Sequence, residues 1–361
     1  MTSTTDLKID FILAFEKDFP IIDAARGLHK SKSPQKLLWC KETRGSVRRP
    51  DLVWGSQFRS KRHPSILLQL TRLTIELVRS LLWFIAIPLL AQFRFEIPEA
   101  VKQGEVIRIK TNANGKLHAT LGKTSVPLFR DGNGGMVGLL PIAVTDKTGV
   151  FDLVIRTENE PVLFTAKVNV QDGKYPIQNI SASSSMKSLT PLPGEMEAMK
   201  ALNTTVTPEK LYQTPFQLPT SECRNSPFGV LRYYNGKPSG NFHRGLDLRS
   251  PMGTPIHAPA AGTVKVAQMF RLHGGTVGLD HGQGVTSHYL HMSKVAAVEG
   301  QLVKAGDILG YVGSTGFATG PHLHWGLYVH SIPTNPERWV EGLRYCPTPA
   351  PVAKKTIAKK K

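Results

Sequence analysis

Cysteine is scarce in this chain. Cys40, Cys223 and Cys346 are its full complement in 361 residues, and no C-x-x-C pair occurs. That excludes a thiolate zinc module. Long apolar runs are also missing: the uncharged stretch between Arg79 and Arg94 holds 14 residues, short of the ~18 a spanning helix needs. Acidic residues are few, 27 against 45 Lys and Arg, for a net charge of +18. Such an excess favours an anionic partner or surface. Nucleic acid is the first candidate to test, but no recognition helix, zinc-finger pattern or aromatic RNA-binding signature accompanies the charge, and nucleic acid is not the expected partner. Neither H-E-x-x-H nor G-x-S-x-G is present, which disfavours two common hydrolase sites. The glycines at 310, 313, 316 and 320 lack the G-x-G-x-x-G spacing and do not mark a nucleotide fold. They read instead as places where backbone comes close to an extended peptide.

What the chain does have is histidine, crowded late. Nine of its 12 histidines fall between His243 and His330. His322-Leu323-His324-Trp325 alternates, so an extended strand puts both imidazoles on one face and Leu323, Trp325 and Leu327 on the other. His243 and Asp247 lie at an even offset, with Gly245 between them. In Tyr289-Leu290-His291-Met292, Tyr289 and His291 share a face and His288 takes the opposite one. Imidazoles with one carboxylate are donors zinc favours, and three protein ligands leave a fourth position open. A His-x-His strand alone is weak evidence, since two histidines also line solvated strand faces.

Taken in order, His243-x-x-x-Asp247, Tyr289-Leu290-His291-Met292-Ser293 and Gly320-Pro321-His322-Leu323-His324 resemble the lysostaphin/LytM-type zinc metallopeptidases of family M23. Ser226-Pro227-Phe228-Gly229, Gly253-Thr254-Pro255 and Gly262-Thr263-Val264 extend the resemblance over roughly the last third of the chain. The resemblance implies a lysostaphin-type antiparallel β catalytic domain with His243, Asp247 and His324 as Zn2+ ligands. It implies His291 and His322 as catalytic histidines and a peptidoglycan peptide as substrate. Tyr289 is a possible cleft residue. A non-catalytic relative that binds the wall or activates an amidase is the alternative, and such a relative is expected to lack some of these residues. The remaining histidines (257, 273, 281, 288 and 330) read as bystanders.

The whole chain is expected to be mainly β. Residues 1–65 read as a poorly ordered basic segment. Residues 66–92 resemble a signal peptide displaced from the start, or a signal-anchor, with a membrane anchor near 80–92. Both readings imply export to the periplasm or cell envelope. Residues 93–172 alternate in short strands with Asp-Gly and Asn-Gly turns, predicting an immunoglobulin-like β-sandwich. Residues 173–222 form a connector with a short helix from Glu195 to Leu202 and a second candidate at Glu209–Tyr212. The peptidase domain spans 223–346, and 347–361 is a Pro/Lys-rich tail. Cys223 and Cys346 bracket that domain, and after export they are expected either to form a disulfide or to remain two unrelated thiols.

Overall fold

The computed structural model describes residues 93–158, 162–180 and 188–347. The expectations for 1–65, 66–92 and nearly all of the 347–361 tail lie outside these residues. No helix among the described residues is long and apolar enough to cross a membrane.

Residues 93–171 form two sheets. One carries four strands in the order Phe95–Glu96, Val106–Thr111, Met136–Pro141, Phe129–Arg130. The other carries five: Ala100–Lys102, Val162–Gln171, Gly149–Thr157, Leu117–Leu121, Thr124–Pro127. Period-2 alternation turns Ile107 and Ile109 of the first sheet toward Leu117, Ala119, Leu153 and Ile155 of the second. All of these are fully or almost fully buried in one core. This is the sandwich that the alternating strands predict.

The second core belongs to an eight-stranded antiparallel sheet. Its path runs Arg224–Ser226, Leu246–Leu248, Leu323–Val329, Val285–Met292, Gly275–Gly282, Gly262–Met269, Leu302–Val303, with Ile332–Thr334 also paired to Leu323–Val329. The central hairpin turns on Gln283 (φ 53°) and Gly284 (φ 75°), two left-handed residues as a tight hairpin loop requires. Strands Pro255–His257, Ile308–Tyr311 and Lys294–Val295 make a small flanking sheet. Leu246, Leu248, Leu323, Trp325 and Leu327 fill the core.

The connector is more ordered than a linker. Ile177–Ile180 pairs in parallel with Leu231–Tyr234, which pairs in turn with Lys237–Phe242, so Leu231–Tyr234 is the middle strand of three. The helix expected at Glu195 runs from Glu195 to Thr204. Residues 209–212 are not helical. A disulfide joins Cys223 to Cys346.

Candidate metal centre

Strand register builds the site. Asp247 sits opposite His324 on neighbouring antiparallel strands, with Leu246 opposite Trp325 and Leu248 opposite Leu323. Residues facing each other across a ladder share a sheet face. The Leu and Trp side chains therefore go to the core while Asp247 and His324 emerge together on the other side. His243 arrives differently from what an extended His243–Asp247 segment predicts. The preceding strand ends at Phe242 and the chain bends at Gly245 before Leu246. A Cβ on Gly245 would lie 2.6 Å from His324 Nε2 and 2.7 Å from the Trp325 carbonyl. The glycine thus lets the bend pass over His324. The Ser-Pro-Phe-Gly motif then fixes His243: its backbone N–H donates to Val230, its carbonyl accepts from Gly229, and its Nδ1 donates to the Pro227 carbonyl at 2.8 Å. Nε2 is left facing Asp247.

Three ligand atoms converge as a result. His243 Nε2 is 3.0 Å from Asp247 Oδ1, His324 Nδ1 is 3.0 Å from the same oxygen, and the two nitrogens are 3.1 Å apart. Tetrahedral zinc with ligands at ~2.0–2.1 Å sets its donors ~3.3 Å apart, so the triad fits a metal of that size after a small expansion. His243 and Asp247 are buried. Burial alone would raise the Asp247 pKa, but His243 and His324 beside it hold the carboxyl well below the usual range. Burial pushes His324 down to about 4. Neutral imidazoles and an ionised carboxylate are the protonation states a metal requires.

The other two histidines flank this triad. The Nδ1 of His322 donates to the Gly320 carbonyl at 2.8 Å, and its Nε2 is 3.8 Å from Asp247 Oδ1. The Nδ1 of His291 donates to the Thr315 carbonyl at 2.9 Å, and its ring centroid lies 4.9 Å from that of His322. A carbonyl only accepts, so in both rings Nδ1 carries a proton, and in the neutral imidazole Nε2 is then the lone-pair nitrogen. Burial, followed by the neighbouring His322 and His324, pushes His291 down to about 3.

Strand parity misplaces two residues. Tyr289 pairs with core-facing Trp325. It is fully buried, its hydroxyl shared with Ser287 at 2.8 Å; it is a core residue and does not line the cleft. His291 escapes to the other side because its φ of 65° breaks the alternation. His288, opposite Gly326, therefore lies on the face of His324. It bonds Asn203 Oδ1 at 2.7 Å and stacks on Tyr328, away from the triad. Nor do the glycines all make room for substrate. A Cβ on Gly313 would strike the His291 carbonyl at 2.6 Å, and one on Gly316 the Leu272 carbonyl at 2.6 Å, so these two pack loop against loop behind His291.

Sequence reasoning passed over Glu195 and Arg232. Glu195 is fully buried, with Oε1 2.6 Å from His273 Nδ1 and N–H groups of Leu272 and His273 donating to it. Arg232 places Nη2 3.6 Å from Asp247 Oδ2. A partnered carboxylate or guanidinium carries no signal in sequence until its partner is located.

Residues 241–336 match the profile of Peptidase family M23. That stretch of the chain is similar to the family. Among curated M23 relatives, DD-carboxypeptidase/endopeptidase Mpg of Neisseria meningitidis serogroup B is 38% identical over 112 residues, covering 31% of this chain and 26% of Mpg. Peptidoglycan DD-endopeptidase ShyA of Vibrio cholerae is 39% identical over 93 residues, covering 26% of this chain and 22% of ShyA. The chain thus spans about a quarter of the length of the curated relatives it matches. A Pseudomonas aeruginosa crystal structure described as an M23 peptidase is 27% identical, with a TM-score of 0.52 over 66% of this chain and 93% of that one. That share exceeds what residues 241–336 supply, so the likeness reaches beyond the peptidase sheet. M23 proteins are metallopeptidases, and the His243–Asp247–His324 triad is the cluster of metal-ligating side chains found among the described residues.

Proposed function

We propose that this chain is a zinc-dependent endopeptidase that hydrolyses cross-links or stem peptides of bacterial peptidoglycan. The observation that carries the reading is the conjunction of a three-donor site with two imidazoles beside it, His322 with Nε2 3.8 Å from Asp247 Oδ1 and His291 with its ring centroid 4.9 Å from that of His322. The endopeptidase activities for which Mpg and ShyA are named agree with it. Export to the cell envelope follows from that substrate, and a disulfide across the domain suits an oxidising compartment.

His243, Asp247 and His324 would hold the ion. When bound, zinc polarises a scissile carbonyl and makes its water acidic enough to attack near neutral pH. The chain's own groups do the rest. One of His291 and His322 takes up the proton of the attacking water on its Nε2 lone pair, and the other is placed to serve the developing oxyanion. Once protonated, an imidazole donates a hydrogen bond to the developing oxyanion and then gives its proton to the leaving amine. Thr315 and Gly320 keep both rings in the tautomer that makes this possible. A non-catalytic wall binder has no use for two such imidazoles.

The test is muropeptide analysis of purified sacculi treated with the full chain. Zinc at one equivalent, new peptide ends in the digest and loss of cleavage with chelator or His324→Ala are expected. His291→Ala and His322→Ala should each cost ~100-fold or more in rate while zinc stays bound. A zinc-loaded protein that leaves every cross-linked muropeptide intact would falsify the enzyme reading.

A further inference from the structure

Arg232 stands beside the triad without a settled job. Its Nη2 lies 3.6 Å from Asp247 Oδ2, too long for a hydrogen bond. Asp247 does not depend on it, since its Oδ1 already lies 3.0 Å from a nitrogen of His243 and of His324. The Nε–H is buried and has no hydrogen-bond partner among the described residues. Buried guanidinium donors are normally satisfied, and an unmet one calls for an explanation.

The setting supplies one. Leu231–Tyr234 is the middle strand of a three-stranded sheet, and the Arg232 carbonyl is tied down by Ser239 Oγ at 2.6 Å. The guanidinium is therefore mounted on a firm element. Arg232 and Tyr234, two apart, share a strand face, and Tyr234 meets Phe317 edge to face with centroids 5.8 Å apart. Phe317 belongs to the glycine-rich loop that leads to His322. That strand face is thus one wall of the site, and the Phe317 loop is the other. About a fifth of the Arg232 side chain is open to solvent. Its Nε is closed to solvent, so a substrate would meet the guanidinium at its terminal nitrogens. Partly desolvated donors of that kind beside a reaction centre suit a carboxylate, which accepts two parallel N–H···O bonds.

We infer that Arg232 is the receptor for a free carboxylate of the substrate, close to the scissile bond. The substrate class is then a peptide that carries such a group, either as the terminal carboxylate of the residue released or as a side-chain carboxylate beside the bond. This rests on the hydrolase reading above and narrows it. Arg232 acts as a specificity determinant and moves no proton.

Three synthetic stem peptides decide it: the free diacid, the terminal amide and the side-chain amide, each assayed with the zinc-loaded full chain. Wild type should cleave the diacid with kcat/KM about 10-fold to 100-fold above one of the amides, mostly through KM, and which amide fails identifies the carboxylate. In Arg232→Gln that ratio should collapse toward one with zinc still bound at one equivalent. Arg232→Lys, which keeps charge but loses the fork, should fall between. Calorimetric titration of the diacid into protein blocked by His291→Ala should show the same preference without turnover. Equal cleavage of all three peptides by wild type would overturn the inference and leave the hydrolase intact. So would weakened zinc affinity in both Arg232 variants with an unchanged ratio at saturating zinc, since Arg232 would then merely brace Asp247. If no peptide is cut, the hydrolase reading fails, and the titration alone still decides for or against Arg232.

Discussion

His281 and His288 sit in the sheet outside the triad, and burial pushes their pKa values down to about 4 and about 3. Both rings are paired while neutral: His281 with the Ala261 carbonyl and Ser287, His288 with Asn203. An unfolded chain takes up these protons near pH 6.5, whereas the folded one resists until about 4. Stability is therefore complete above ~6.5 and lost as pH falls below it, by about 3 kcal/mol for His281 at the acid end. Urea midpoints of the zinc-free protein should drop between pH 7 and pH 4.5, and His281→Gln should flatten the drop. An identical slope in that variant would clear His281 of the effect. At this scale Asp247 and His324, two of the three proposed ligands, were legible in sequence because they obey strand parity. Tyr289 and His291 were not, because a single left-handed residue reverses parity at the strand end. No residue-type pattern announces a histidine in that conformation.

At the scale of elements, the helix Glu195–Thr204 connects the linker to His291, one of the two proposed catalytic histidines. Glu195 opens it and reaches into the loop 271–273, whose N–H groups and His273 ring it binds. Burial alone would raise its pKa, but backbone N–H groups of Leu192 and His273 keep the carboxylate charged. The His273 carbonyl then accepts the N–H of His291 at 3.1 Å, and the Leu272 carbonyl accepts from Phe317 at 2.8 Å. Glu195 therefore positions His291 from behind without touching the site. Further along, Leu202 packs where a Cβ on Gly278 would stand 2.2 Å away. Replacing Glu195 with Gln removes a buried charge that five donors satisfy. We expect a cost of about 2–4 kcal/mol in the denaturation midpoint, a lower kcat and full zinc occupancy. Hydrogen exchange at 271–273 should quicken; protection equal to wild type would refute this role of Glu195. The helix itself was legible from its sequence, but its partner was 76–78 residues away, and only the fold brings them together.

For the whole molecule, the β structure was legible from alternation and turn residues where a strand has one buried face, as Val106–Thr111 does. Where a strand is buried throughout, as Gly275–Gly282 and Val285–Met292 are, it was legible from turn residues. The joint between the two domains was not. Arg338 bonds Glu105 at 2.7 Å, Asn335 N–H donates to the Gly104 carbonyl at 2.7 Å, and Tyr175 OH donates to the Gln103 carbonyl at 2.5 Å. These contacts link polar residues on separate domains, and polar surface residues carry no periodic signal. The same holds for the covalent closure, because two cysteines in sequence do not declare a pair. The Cys223–Cys346 bond spans a sequence separation of 123. It clamps the first and last segments of the peptidase domain where Arg224 and Cys346 already exchange a backbone hydrogen bond. Its contribution is chiefly to the unfolded state: closing a loop of that length removes chain entropy worth about 5 kcal/mol. The double variant Cys223→Ser, Cys346→Ser should unfold at a markedly lower denaturant concentration. Wild type in reductant should match it, and both should bind zinc at one equivalent under native conditions, since neither sulfur belongs to the triad. Two coincident midpoints, with and without reductant, would mean that the sheet alone holds these ends together.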